Sequence, residues 1–162
     1  MPVDTKAVKN RRDMSHLRTL DDVVSDAKKV AAAQKAGSLK TIGNWTAGQC
    51  LNHLATWMQF AYGGNPSAPP NWFIRTMARM MKKKFIYGSL PPGFSIPNVP
   101  GGTHGIESLQ VGDALAKLET AAARLKRESP TMPNPVFGVM THDEWQALHV
   151  NHARLHLSFM LV

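Results

Sequence analysis

The chain has 162 residues and a formal net charge of +8, with 19 Lys and Arg residues against 11 Asp and Glu residues. This length suits one domain with a substantial core, and no apolar run approaches the roughly 18 residues of a membrane span, so we expect no span and, from the polar basic start, no signal peptide. The single cysteine, Cys50, excludes an intramolecular disulfide and favours a reducing, cytoplasmic location.

The N-terminal part separates into a basic arm and a first helix. The basic residues cluster in three segments, and residues 1–18 are one of them. We predict an extended arm over these residues and a single domain over residues 19–162. Thr19 is a suitable N-cap and Gly37 a suitable stop. The apolar spacing between them predicts a helix from about Leu20 to Ala36.

The second helix has a clear N-terminal signal. Thr46 and Gln49 have the spacing of a capping box, and the apolar pattern continues to the glycine pair at 63–64. His53 lies on the flank between the apolar side and a polar stripe. The polar stripe, which we expect to face solvent, consists of Gln49, Asn52, Thr56 and Gln59.

A long connection separates the second helix from the third. It contains a basic amphipathic segment at 71–85 and a Pro/Gly-rich stretch at 90–102. Such a connection is uncommon unless it crosses the fold or covers something. We interpret 71–85 as a helix that packs on the domain with its basic face in solvent. A membrane-surface helix, a phosphate-binding helix and a lid over a site are the alternatives.

Two further helices complete the predicted fold. A third helix runs from about Ser108 to Arg127, and a last helix begins at a second capping box, Thr141 with Glu144, and continues to the chain end. Four helices, no convincing strand and one long crossover between the second and third predict an all-α fold, a four-helix bundle.

Three histidines lie close together in the last helix. At about 100° per residue, His149, His152 and His156 project from one arc in the middle of the apolar stripe. An imidazole there is costly unless its nitrogens find partners, and one divalent metal ion can serve several rings. Core histidines hydrogen-bonded to backbone or water are the alternative. The remaining histidines outside the second helix are expected to be exposed, and these are His16, His104 and His142.

Two segments resemble the DinB/YfiT-like metalloenzyme superfamily, and most closely its branch defined as a domain of unknown function. They are residues 44–55, with a lone histidine before Leu-Ala, and residues 135–145 followed by the last histidine pair. The resemblance implies a bundle that holds one divalent ion, and imidazole ligands suit zinc, nickel or iron. The ligands that it implies are His53, His152 and His156. From its own position, three residues before His152, we interpret His149 as an alternate ligand or as a support for one.

The resemblance also implies a reaction class. Characterised members include thiol-dependent transferases and isomerases, so it implies a transferase, isomerase or hydrolase that acts on a small molecule, with a water or a low-molecular-weight thiol at the metal. Three neutral ligands leave room for either. No carboxylate lies in the histidine arc, so the catalytic side chain stays unknown, and Cys50 is interpreted as a packing residue, with a thiolate near the metal as the alternative.

Two other functions stay open from the sequence. A non-catalytic, metal-binding stress-response bundle would carry the same histidines with a closed ligand set. A nucleic-acid-binding protein would use the basic segments, but the positive charge is scattered and we expect no nucleic-acid partner. A homodimer formed through bundle faces is compatible with the pattern.

Overall fold

A computed structural model describes residues 2–162, so Met1, the first residue of the predicted arm, lies outside the described residues. The described chain is mostly helical, as predicted, but it has six α-helices rather than four and a sheet of two short strands. The helices are α1 (Leu20–Ala36), α2 (Ala47–Gly63), α3 (Trp72–Met80), α4 (Lys82–Tyr87), α5 (Val111–Arg127) and α6 (His142–Leu157), and the strands are β1 (Lys40–Thr41) and β2 (Met160–Leu161).

Capping boxes start three of the long helices where the sequence predicts a start. The hydroxyls of Thr19, Thr46 and Thr141 each accept the backbone N–H three residues on, and the side chain of that later residue accepts the threonine's own N–H. Each box satisfies two amide groups that a helix end leaves free, and a cap of this kind contributes about 1 kcal/mol. α1 ends at Gly37 in the left-handed conformation, also as predicted.

The third long helix, α5, begins at Val111, three residues later than predicted. The chain before it lies against α2, where a Cβ on Gly48 would overlap the carbonyl oxygen of Leu109. Because this segment is laid along α2, its backbone is extended rather than helical, and the helix starts only after Gln110.

The last helix stops at Leu157 instead of continuing to the chain end. The chain then turns back, Ile42 donates its N–H to the carbonyl of Phe159, and β2 pairs with β1 in antiparallel register. The prediction that the chain has no strand was therefore wrong here. Strands of two residues are too short to give an alternating apolar pattern.

One hydrophobic core joins the four long helices. The most extensive packing is between α2 and α5, α1 contacts α5 and α6, and the short helix α4 lies on α6. Met14 and Leu17, from the segment before α1, are buried in the same core. Each fully buried Leu or Met contributes about 1.5–3 kcal/mol through its removal from water. Large side chains at the centre include Leu51, Leu54, Met58, Leu118, Leu125 and Leu157.

A buried ion pair fixes the segment before α1. The Arg12 guanidinium donates to both carboxylate oxygens of Asp26, at 2.5 and 3.1 Å, and to the carbonyl oxygen of Met160 at 3.0 Å. Asp26 is only 1% exposed. The contact therefore connects the N-terminal segment, α1 and β2 around one buried charge.

α3 turns its apolar side to solvent. Trp72, Phe73 and Met80 are 75%, 59% and 76% exposed, and no residue of α3 is buried. The prediction that segment 71–85 packs on the domain through its apolar side was therefore wrong for α3, whereas in α4 Phe85 is half-buried and its ring contacts that of Phe137 at 5.7 Å. No helix within residues 2–162 combines the length and the hydrophobicity that crossing a membrane requires.

Candidate metal centre

Three histidines from two helices meet at one point. His53 comes from α2, and His152 and His156 come from successive turns of α6, where a spacing of four places two side chains one above the other. The Nε2 atom of His152 lies 3.1 Å from that of His53 and 3.0 Å from that of His156. All three ligand atoms lie within 4.8 Å of one another. The group can hold a metal ion.

The contact of His53 Nδ1 shows which ring nitrogen of His53 carries the hydrogen. Nδ1 of His53 lies 2.7 Å from the carbonyl oxygen of His104, which can only accept, so Nδ1 carries the hydrogen. In the neutral ring, Nε2 then has a lone pair that faces His152. A single hydrogen on His152 Nε2 cannot point at both neighbours, so hydrogen bonds alone leave one of the two short contacts unsatisfied. A cation between the three nitrogens would satisfy all of them.

The spacing of the nitrogens also fits a small divalent ion. Zinc binds imidazole nitrogen at about 2.0–2.1 Å, and tetrahedral geometry then separates two ligand nitrogens by about 3.3 Å. The two measured separations, 3.0 and 3.1 Å, are slightly shorter than this. The third pair, His53 and His156, lies within 4.8 Å, so binding of a single ion would require these side chains to draw closer together.

The end of the long connection covers the polar stripe of α2. Gln49 donates to the carbonyl of Ile106 at 3.0 Å, and Asn52 donates to the carboxylate of Glu107 at 3.1 Å. Asn52 is 2% exposed, so the expectation that this stripe faces solvent was wrong for Asn52, whereas Gln59 at its end is exposed as expected. The polar residues of α2 instead bind the backbone and the side chains of the connection, and they hold it beside His53.

Gly105 allows the connection to approach His53. Its φ of +75° is in the left-handed region, and a Cβ there would lie 2.7 Å from the Cβ of Thr56 and 3.1 Å from the Cα of His53. Both the conformation and the contact require glycine. Because Gly105 sits so close to α2, the carbonyl of His104 reaches the ring of His53 and orients it.

Two tryptophans border the histidine group. The Trp45 ring stacks on His156, with centroids 4.9 Å apart and planes 17° apart, and it also contacts His53 at 4.7 Å. Trp57 meets His152 edge-on at 5.6 Å. These large rings restrict rotation of the imidazoles and exclude water from one side of the group.

Burial keeps the three imidazoles neutral. It lowers the pKa of His53 to about 4, against an ordinary value of 6.5. The rings of His152 and His156 point inward, and burial, followed by repulsion from the neighbouring imidazoles, holds their pKa values well below the usual range. Neutral imidazole is the form that binds metals, so the histidines are ready to act as ligands at pH 7.

Comparison with known families adds one result. The model of the family described as Protein of unknown function (DUF1569) matches residues 8–161. The chain belongs to this family. The match includes all six helices and therefore all three histidines of the group. No curated protein and no solved structure matches the chain. The description of DUF1569 names no activity.

His149 of this DUF1569 protein is buried but stands apart from the group. It is 3% exposed, and its ring stacks on Trp145 with centroids 5.8 Å apart. Neither ring nitrogen has a hydrogen-bond partner within residues 2–162, and burial lowers its pKa to about 4. The group of three does not include it. Its role as an alternate ligand or as a support stays a prediction.

Other residues of the DUF1569 chain differ from the sequence-based expectations. Cys50 is buried and lies outside the group, and burial raises its pKa to about 12, which keeps it a thiol. His104 was expected to be exposed, but it is half-buried and its carbonyl orients His53. A contact through a backbone carbonyl leaves no side-chain signal in a sequence. Gly105 was the one visible hint, because glycine often marks a close approach.

Proposed function

We propose that this DUF1569 protein is a metal-dependent enzyme of the DinB-like kind, in which His53, His152 and His156 bind one divalent ion. The observation that carries the proposal is the convergence of three imidazole nitrogens without a fourth protein ligand in the group, as far as residues 2–162 are concerned. Structural zinc sites are closed by four protein ligands, whereas catalytic sites leave one position to water or substrate. A set of three therefore favours catalysis.

The packing of the long helices supports a DinB-like bundle. α1, α2, α5 and α6 share one core, and residues 64–110 form the connection from α2 to α5. In this interpretation α3 and α4 belong to the crossover, and the four long helices form the bundle. The two helices that would hold the metal, α2 and α6, are both bundle members, which is a common way to build a metal site.

Each neighbour of the group has a definite task in this proposal. The His104 carbonyl fixes the ring of His53, and Trp45 and Trp57 exclude water. His152 and His156 are half-buried as whole residues although their rings point inward, and we place the approach of a small molecule on their side of the group. When bound, a zinc, nickel or iron ion would lower the pKa of a water or a thiol and so supply a nucleophile.

The composition of the group favours a thiol over water. No carboxylate belongs to the group within residues 2–162, and the three histidines would be occupied as ligands. On a metal ion a coordinating thiol would be deprotonated outright, whereas a coordinated water has a pKa of about 7 and would be only partly ionised at neutral pH. We therefore favour transfer or isomerisation with a low-molecular-weight thiol over hydrolysis.

A second candidate function is a non-catalytic metal-binding role. It is favoured by His149, which lies one turn before His152 and whose two buried ring nitrogens have no hydrogen-bond partner among residues 2–162. A shift of its ring toward the group would supply a fourth ligand and close the site. The two candidates differ in whether an external molecule can reach the metal, and this difference can be measured.

Cobalt(II) substitution tests the proposal directly. We expect cysteine or glutathione to produce a thiolate-to-cobalt charge-transfer band in the loaded protein, and the loaded protein to accelerate transfer of the same thiol to chlorodinitrobenzene. Both signals should disappear in His152→Ala and persist in the control His16→Gln, because His16 is exposed and outside the group. A cobalt spectrum that no thiol changes, together with no rate enhancement, would support the closed, non-catalytic site.

A further inference from the structure

A cleft on the surface carries two arginines and no acidic residue. It has a volume of about 440 Å³ and lies between α3, the first residues of the connection and the loop that precedes α6. Its charged lining residues are Arg75 and Arg79, which lie one helical turn apart on the same side of α3. The volume is large enough for a small metabolite.

The two guanidinium groups have no counter-charge in the described chain. Neither Arg75 nor Arg79 forms an ion pair with any carboxylate of residues 2–162. The Nε atom of Arg75 is buried without an acceptor, again within that range. A buried donor without a partner costs about 1–3 kcal/mol, and more for a charged group, so this arrangement opposes stability in the free protein.

The orientation of α3 increases this cost. A helix that folded for stability alone would bury Trp72, Phe73 and Met77 and leave its arginines in water. In α3 these three side chains are 75%, 59% and 43% exposed, whereas Arg75 is half-buried and lines the cleft together with the exposed Arg79. A ligand that binds the arginines would offset part of the cost of this orientation.

Neutral donors lie beside the arginines. The Oδ1 atoms of Asn65 and Asn134 already accept hydrogen bonds from backbone N–H groups, so their side-chain NH2 groups remain as hydrogen-bond donors for a ligand. The Oγ atom of Ser67, at the edge of the cleft, lies 2.6 Å from Nε2 of His104. His104 in turn orients His53 through its carbonyl. The cleft and the histidine group therefore share one chain of contacts.

We propose that this cleft binds the oxyanion of a small molecule, a carboxylate or a phosphate group, between Arg75 and Arg79. Guanidinium groups match the planar or tetrahedral oxygens of such anions with paired hydrogen bonds, and no acidic side chain in the cleft competes for them. The idea that this cleft anchors the enzyme's substrate rests on the proposed function. The binding of an anion in the cleft is independent of that function.

Titration with two simple anions tests the proposal. Inorganic phosphate and succinate are added separately to the full chain at constant ionic strength, and the arginine Nε–H signals are followed by nitrogen-15 NMR. Arg75→Gln and Arg79→Gln are compared with Arg127→Gln, which removes an exposed charge outside the cleft. We expect saturable binding of at least one anion, weakened roughly tenfold in each cleft variant and unchanged in the control.

The outcomes separate the possible ligands and the two proposals. Saturation with phosphate alone assigns a phosphate ester, and saturation with succinate alone assigns a carboxylate. Non-saturating shifts that are equal in wild type and all variants would reflect the net charge and would overturn the proposal. If Arg75→Gln unfolds, Arg79→Gln decides, because Arg79 is exposed. His152→Ala should bind the anion as wild type does; loss of binding there would move the anion to the histidine group.

Discussion

Nδ1 of His53 donates to the main-chain carbonyl of His104 across 2.7 Å, although 51 residues separate the two in sequence. This bond makes the long connection a part of the histidine group, because it fixes both the orientation of the ring and the nitrogen that carries the hydrogen. A carbonyl or carboxylate partner of this kind commonly tunes a metal-binding histidine. The covering segment is therefore tied to the chemistry of the site.

Gly105→Ala should weaken metal binding without touching a ligand. The added Cβ would press on Thr56 and on the backbone at His53, so the His104 carbonyl would move away from Nδ1. Loss of such a supporting contact typically costs about 10- to 100-fold in metal affinity. Competition with a chromogenic chelator measures the affinity.

Gly112→Ala is the matched control for that substitution. Gly112 lies in α5, and a Cβ there would meet nothing within 4 Å. We expect unchanged metal affinity and a gain in stability of about 0.5–1 kcal/mol, because alanine favours a helix over glycine. If both variants bound metal as wild type does, the His104 contact would have no influence on the site.

Acid should destabilise the metal-free protein through its buried histidines. Burial lowers the pKa of His149 to about 4 in the folded state, against 6.5 as the ordinary value. Between these values the unfolded chain binds the proton first, so stability is complete above about pH 6.5 and falls as the pH decreases toward 4. His53, whose pKa is also lowered to about 4, adds to the same loss.

His149→Leu should remove one share of this pH dependence. The free energy of unfolding is measured by urea titration with a chelator present, at about pH 7 and at about pH 4.5. We expect it to decrease more in wild type than in the variant, by roughly 2 kcal/mol. An identical loss in both proteins would mean that His149 has a partner for its protonated form.

Arg12→Ala should be among the most damaging substitutions outside the core. It would leave the carboxylate of Asp26, which is 1% exposed, without its guanidinium partner. Breaking a buried ion pair from one side costs about 3–5 kcal/mol. Arg18→Ala, at an exposed position without an ion pair in the described chain, should change the unfolding free energy by less than about 0.5 kcal/mol. Similar unfolding curves for the two variants would contradict this account.

Local signals in the sequence predicted the long helices well. The boxes at Thr46 and Thr141 depend on side chains three residues apart, so the sequence contains the whole interaction. The pair His152 and His156 is predictable for the same reason, since both rings belong to one helix face. Inclusion of His53 came from the family resemblance, because its position on α2 alone did not distinguish a ligand from a packed side chain.

Features that depend on distant segments were not predictable. The contact from His104 uses a backbone atom, and the pairing of β1 with β2 joins two strands of two residues each. The exposed apolar side of α3 contradicts its own amphipathic pattern, which predicts burial. Each is decided by where the chain lies in three dimensions, and residue spacing along one element does not record that.

Metal content is the most direct test of the three-histidine site. Untagged wild type, His53→Ala and His152→Ala would be offered zinc, nickel or iron, desalted and measured by plasma mass spectrometry. The geometry predicts about one equivalent in wild type and a large loss in both variants. Wild type that stays free of metal, or His53→Ala that keeps full occupancy, would contradict the assignment of His53, His152 and His156 as the ligands.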